Sequence, residues 1–295
     1  MSRVSLVSAD FPDVEGVEHR FIDAGGLRVH LADAGPPGAP PVLLLHGWPQ
    51  HWYMWRRVIA ALRGDFRLLA PDLRGFGSSE APGHGYDGET FGRDQVALLD
   101  ALGIERIDVI GHDWGGWTTF LLGILHPARV GRLLVCNVPH PWVPPSPRLL
   151  AEGWRSWYGL ALATPGLGAA LLRRTGFAKG ILRRGNVGAP FTEAELDAYA
   201  DSFRAPERAA AVSALYRYYV RAFSQGIAGH WREHRLQAPT LLLFGERDLY
   251  ISARFLPGFE RFADHMRLER VPDSGHFIVD EKPELVVERA RTLFG

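Results

Sequence analysis

The 295 residues are 46% hydrophobic, which suffices for one large α/β domain or a domain with an insertion. Acidic and basic residues balance at 33 each and are interspersed, leaving no basic stripe for nucleic acid and no polybasic run for a membrane surface. The single cysteine, Cys136, excludes an intrachain disulfide and fits a reducing, cytoplasmic compartment. Met1 to Gly16 lacks the apolar stretch of a signal peptide, and no apolar run is long enough to predict a membrane span.

Taken in order, residues 1–18 read as an irregular arm. His19–Asp23 and Leu27–Ala32 predict a β-hairpin, with Gly25-Gly26 supplying positive φ. Val42–Leu45 is a wholly apolar run of the kind found inside a parallel sheet, and it ends in His46-Gly47-Trp48-Pro49-Gln50. A helix is expected over Trp55–Leu62. The strand Phe66–Ala70 then leads into the Gly-rich turn Asp72–Ser79. A helix over Thr90–Leu102 stops at Gly103. Ile107–Ile110 reads as a strand, followed by Gly111-His112-Asp113-Trp114-Gly115-Gly116 and an apolar helix over Trp117–His126. Val130–Cys136 is a further strand. This alternation predicts an α/β fold, a mostly parallel sheet with helices on both faces.

The alternation breaks near residue 139. From 140 to 234 no convincing strand occurs. Prolines stand at 139, 141, 144, 145 and 147, followed by helical stretches rich in Ala, Leu, Arg and aromatics. The pattern resumes with strands at Pro239–Gly245 and Met266–Val271 and a terminal helix from Pro283 to Leu293. The expected organisation is a core of 1–139 and 235–295 interrupted by a helical insertion, 140–234.

The strand, Gly-flanked polar residue and helix around Asp113 have the form of a nucleophile elbow, whose usual version is G-x-S-x-G. A carboxylate in place of serine attacks alkyl carbon, and water can later cleave the ester it forms. Open parallel sheets bind ligands at the carboxyl ends of their strands. Three such ends supply Asp113, Asp248 and His276, in the chain order nucleophile, acid, histidine. Each has an ordinary reading by itself: a helix cap, a loop carboxylate, a packed histidine. Their joint, ordered placement gives the catalytic one. Asn137 also follows a strand where an acid could serve, but it is an amide, so Asp248 is preferred.

On these residues the sequence resembles the α/β-hydrolases of the epoxide hydrolase and haloalkane dehalogenase group, and more closely the epoxide hydrolases, over nearly the whole chain. His46-Gly47-Trp48-Pro49 matches the family's H-G-x-P loop, Gly111–Gly116 its elbow, Asp248 and Gly275-His276 its acid and base loops, and 140–234 its helical cap. The resemblance implies an oxyanion hole from the backbone N–H groups of Trp48 and Trp114. It also implies two cap tyrosines, Tyr158 and Tyr216, donating to an epoxide oxygen, and substrate contacts from His46, Trp48, Trp114 and Trp157. Tyr218 and Tyr219 are rivals of Tyr216, although helical spacing puts Tyr219 on its face and Tyr218 elsewhere.

Haloalkane dehalogenases often carry asparagine where Trp48 stands. Fluoroacetate dehalogenases carry arginine beside the nucleophile, where this chain has Trp114, Gly115 and Gly116. A small apolar epoxide and water are therefore the expected substrates. The alternatives are a haloalkane or haloacetate dehalogenase and, from another class, a non-catalytic ligand-binding protein on the same scaffold. No cofactor is implied. His230-Trp231-Arg232-Glu233-His234 reads as H-x-x-E-H, which on a helix would put two histidines on one face, but no third ligand accompanies it and no metal is expected. Neither nucleic acid nor a membrane is an expected partner, and a homodimer stays open.

Overall fold

The computed structural model describes residues 11–144, 152–174 and 176–295. The first ten residues of the expected arm, and Pro145 and Pro147, lie outside them. Eight strands form one sheet: β1 (Val17–Ala24), β2 (Leu27–Ala34), β3 (Pro41–Leu45), β4 (Arg67–Pro71), β5 (Ile107–His112), β6 (Val130–Cys136), β7 (Thr240–Gly245) and β8 (Met266–Val271). Their order is β1-β2-β4-β3-β5-β6-β7-β8. β1 pairs antiparallel with β2, and β2 with β4; all later pairings are parallel. β3, β5, β6, β7 and β8 therefore point the same way, and their carboxyl ends open on one side of the sheet.

The middle strands are apolar because both faces are covered. Val42–Leu45, Leu133–Cys136 and Leu242–Phe244 are buried throughout. Helices α1 (Arg56–Leu62), α2 (Gly88–Ala101) and α3 (Trp114–Leu125) follow β3, β4 and β5. The Asp87 carboxylate caps α2 by accepting from Thr90 N at 2.8 Å, and Gly103 at φ 68° ends it. The structure starts β1 inside the expected arm. It also starts α3 at Trp114 instead of Trp117, so that Asp113 occupies the N-cap position of α3.

Between β6 and β7 the regular structure of the described residues is helical: α4 (Trp157–Ala163), α5 (Leu167–Arg173), α6 (Gly176–Gly185), α7 (Glu193–Ala200) and α8 (Pro206–Ile227). Thr192 and Glu195 close a capping box on α7. Pro206 at the start of α8 gives up an N–H that the helix would not have used. His230–Glu233 forms turns, so the H-x-x-E-H match does not lie on a helix.

A buried polar network ties these helices to the sheet. Arg56 of α1 pairs with Glu195 of α7 and, at 2.8 Å, with Asp280, and it donates to the Tyr199 hydroxyl at 3.1 Å. Asp280 lies in α9 (Ile278–Glu281), a short helix that the sequence reading did not anticipate. The chain ends in α10 (Pro283–Phe294). Among the described residues no helix is long and apolar enough to cross a membrane.

Candidate active site

The turn after β5 is tight. Asp113 has φ 50° and ψ −117°, a conformation that a residue with a Cβ rarely adopts. It is held there by Asp113 N donating to Cys136 O at 3.1 Å and Trp117 N donating to Asp113 O at 2.8 Å. Two glycines make the crowding possible. A Cβ on Gly115 would sit 2.0 Å from Leu45 O, and one on Gly47 would sit 2.5 Å from the Asp113 Cβ. The Gly47 loop therefore lies against the aspartate, and Trp48 N donates to Asp113 Oδ2 at 2.9 Å. Trp114 N, at the start of α3, also donates to this carboxylate. Oδ2 is thus bound by the fixed Trp48 N–H, and the carboxylate as a whole by two backbone donors. The other oxygen, Oδ1, faces His276 Nε2 at 3.9 Å.

His276 follows β8, and its ring is fixed from the far side. Nδ1 donates to Asp248 Oδ2 at 2.8 Å. Asp248 also accepts from Tyr250 N at 2.8 Å, Ile251 N at 2.9 Å and Asn137 Nδ2 at 2.8 Å. Burial acts to raise this carboxyl, but His276 and these donors outweigh it and hold it below the ordinary range. Burial acts to lower the His276 imidazolium, but Asp248, and after it Asp113, outweigh it and raise the pKa to about 8. Asp113 goes the other way: burial raises it to about 6 despite His276 and the two backbone donors.

The opposite wall is aromatic. Tyr158 of α4 and Tyr216 of α8 meet edge to face with ring centroids 5.8 Å apart, and the Tyr158 and Trp114 side chains hydrogen-bond to Tyr216. Burial pushes both phenols well above their ordinary value, so they remain protonated donors near Asp113. Both line a cavity of about 130 Å³ that also reaches Asp113, Trp114, Trp117, Tyr219 and Tyr250. Among its described lining residues there is no lysine or arginine.

The structure brings together Asp113, Asp248, His276, Tyr158, Tyr216, Trp114 and the Trp48 N–H. It puts other expected contacts elsewhere. The His46 ring turns into the core, fully buried, and its Nε2 accepts from Leu73 N at 2.9 Å. Burial lowers its pKa to about 4, so it is a neutral strut between the loops after β3 and β4. The Trp48 side chain does not line the cavity. It lies behind the tyrosines, stacked on Tyr158 at 6.1 Å and edge-on to Tyr216 at 5.4 Å. Trp157 is 51% exposed and packs edge-on against Phe177; the helical turn that sends Tyr158 inward sends its neighbour out. Of the two rivals, Tyr219 lines the cavity, while the Tyr218 hydroxyl accepts from Trp117 Nε1 at 3.4 Å.

Two positioning groups escaped the sequence reading. Asn137, set aside there as an acid, has φ 45°. It ties three loops together, donating to Asp248 Oδ2 and to Gly275 O at 3.0 Å and accepting from Gly245 N at 3.1 Å. Glu281 of α9 holds the histidine loop, its Oε2 accepting from Gly275 N at 2.5 Å and Ser274 Oγ at 2.9 Å. Asparagine tolerates left-handed backbone, so its place after a strand was the available signal for the first.

The sequence pattern of the alpha/beta hydrolase fold matches residues 40–283. The chain belongs to that family. Within it the chain falls among the epoxide hydrolases: it is 32% identical to Epoxide hydrolase 4 of Homo sapiens over 279 residues, covering 90% of this chain and 75% of the relative. Two solved structures are similar over nearly their whole length. Epoxide hydrolase CorEH has 28% identity and a TM-score of 0.79, covering 94% of this chain and 98% of that one. Cfl2 from Burkholderia cenocepacia has 28% identity and a TM-score of 0.82, covering 96% and 97%.

Proposed function

We propose that this enzyme converts an apolar epoxide to a vicinal diol through an ester on Asp113. The observation that carries the reading is the pairing across one cavity of a carboxylate oxygen facing His276 with two protonated tyrosines on the other wall. Asp113 Oδ1 attacks an epoxide carbon as the carbon–oxygen bond breaks, and the oxygen takes a proton from Tyr158 or Tyr216. His276 then removes a proton from water, which attacks the ester carbonyl carbon. The charge that develops on Oδ2 falls where Trp48 N already donates, with Trp114 N a second donor to the same carboxylate. Preorganised donors of this kind contribute roughly 3–4 kcal/mol each. Collapse expels the ester oxygen of the diol, which takes the proton held by His276. The water proton left on the new carboxyl returns to the tyrosinate, restoring the carboxylate with one oxygen from water.

The electrostatics support the order of steps. The Asp113 charge is one of the causes that hold His276 up. Esterification removes that charge, so the imidazole becomes a readier neutral base when a base is needed. Asp248 keeps Nδ1 protonated, leaving Nε2 free to accept. The helices of 140–234 act as a cap over residues 1–139 and 235–295, supplying the tyrosines. The absence of lysine and arginine among the described lining residues favours a neutral substrate over a haloacetate.

The test is one turnover of a styrene-oxide-like epoxide in ¹⁸O-labelled water with enzyme in excess. The proposed route puts the label on the Asp113 carboxylate; label found only in the diol refutes it. A haloalkane consumed where no epoxide is would favour the dehalogenase reading, and ligand bound without product would favour a binding protein.

A further inference from the structure

One wall of the cavity is α8. Tyr216, Tyr219, Ala222 and Gly226 all line it. At about 100° per residue these four positions fall within roughly 120° of arc, a single helix face. At 1.5 Å per residue they extend about 15 Å from the tyrosine pair to the helix's last turn. Side-chain size falls along this line, from two tyrosines to an alanine to a glycine. The cavity is also bounded by Val138, Pro139, Pro141 and Val143, directly after β6. Apart from Asp113, no carboxylate stands among the described lining residues, and no lysine or arginine does. His140 also lines this stretch, its Nε2 engaged by the Leu256 and Pro257 carbonyls, so the site has its reactive chemistry at the Asp113 end and a largely apolar wall leading away from it.

We propose that the site takes terminal epoxides bearing a linear, uncharged alkyl chain, with the chain lying along α8 and Gly226 setting the length accepted. This rests on the epoxide hydrolase reading above. An extended chain advances roughly 3.6 Å per three bonds, so a 15 Å wall accommodates about a dozen bonds. Gly226 sits near the middle of the lining arc, so a side chain there enters the cavity. A Cβ built on it meets no heavy atom of the described residues within 4 Å, so the first carbon of Gly226→Leu has open space. The variant also replaces a weak helix former with a strong one.

The experiment compares kcat/KM for terminal epoxides from butene oxide through dodecene oxide in wild type, Gly226→Leu and Ala222→Leu. In parallel, primary alkanols of matching length are titrated against the fluorescence of Trp114 and Trp117. Wild-type kcat/KM and alkanol affinity should rise roughly fourfold per methylene until the wall is filled. In Gly226→Leu the rise should stop several methylenes sooner, lowering the ratio of dodecene oxide to butene oxide at least tenfold. In Ala222→Leu, nearer the tyrosines, it should stop earlier still. The same chain-length limit in all three proteins, or no rise in wild type, overturns the proposal. Alkanol binding that follows the expected pattern with no epoxide converted leaves the chain-binding wall standing and brings down the epoxide head group and the reaction reading with it.

Discussion

Replacing Asp113 by asparagine should make the protein more stable at neutral pH. Burial raises this carboxyl from its ordinary 3.8 to about 6, so the folded state favours the protonated form. At about 1.4 kcal/mol per pH unit, the carboxylate costs about 3 kcal/mol of stability once both states have ionised. The sign follows from linkage. A raised carboxyl contributes nothing unfavourable below 3.8, and stability falls as pH rises toward and through about 6. Asparagine does not ionise, and it keeps an oxygen to accept from Trp48 N. Urea denaturation of both proteins between about pH 4 and about pH 8 should therefore show Asp113→Asn gaining nothing at the acid end and up to about 3 kcal/mol at the neutral end. Comparing the two proteins at each pH cancels the titrations not coupled to Asp113. His276, which Asp113 helps to hold up, loses part of its own contribution in the variant, so about 3 kcal/mol is the upper bound of the gain. A variant equally or less stable across the whole range would show that the buried carboxylate carries no net penalty, and the electrostatic account of the site would fail.

Asn137→Ala should cost about 3–5 kcal/mol in urea unfolding, because it strands buried backbone partners and puts a Cβ residue without a polar side chain at positive φ. Asn137→Gly should recover about 1 kcal/mol of that, and equal losses would remove backbone conformation from the account. Tyr158→Phe and Tyr216→Phe should each slow single-turnover ester formation by roughly 10²–10⁴-fold, read by quenched flow; unchanged rates would take the tyrosines out of the reaction. His276→Gln should accumulate a protein species heavier by the mass of the epoxide in intact-protein mass spectrometry, whereas full turnover by this variant refutes the base assignment. The ester-hydrolysis step should speed up as pH rises and His276 loses its proton, with an apparent pKa below the value of about 8 set in the free enzyme by Asp248 and Asp113.

The sheet was largely legible because its strands are covered on both faces and so read as short apolar runs, such as Val42–Leu45, Leu133–Cys136 and Leu242–Phe244. The placement of the candidate residues was legible for a related reason. A parallel sheet sends its strand ends to one side, so Asp113, Asp248 and His276 could be assigned to a common edge from chain order. Three-dimensional contact decided the rest. That His46 turns inward, that Trp48 contributes a backbone N–H to Asp113 while its indole only backs the tyrosines, and that Trp157 faces out all depend on rotations of about 100° per helical residue and on loop paths that no local pattern records. Asn137 and Glu281 act through loops distant in sequence, and only packing brings those loops together. The sequence by itself determined at which strand ends the candidate residues stand, because burial and periodicity are written locally. The tertiary structure alone decided their distances, their protonation and the shape of the cavity between them, because these arise where α3, α4, α8 and the loops after β3, β6, β7 and β8 converge.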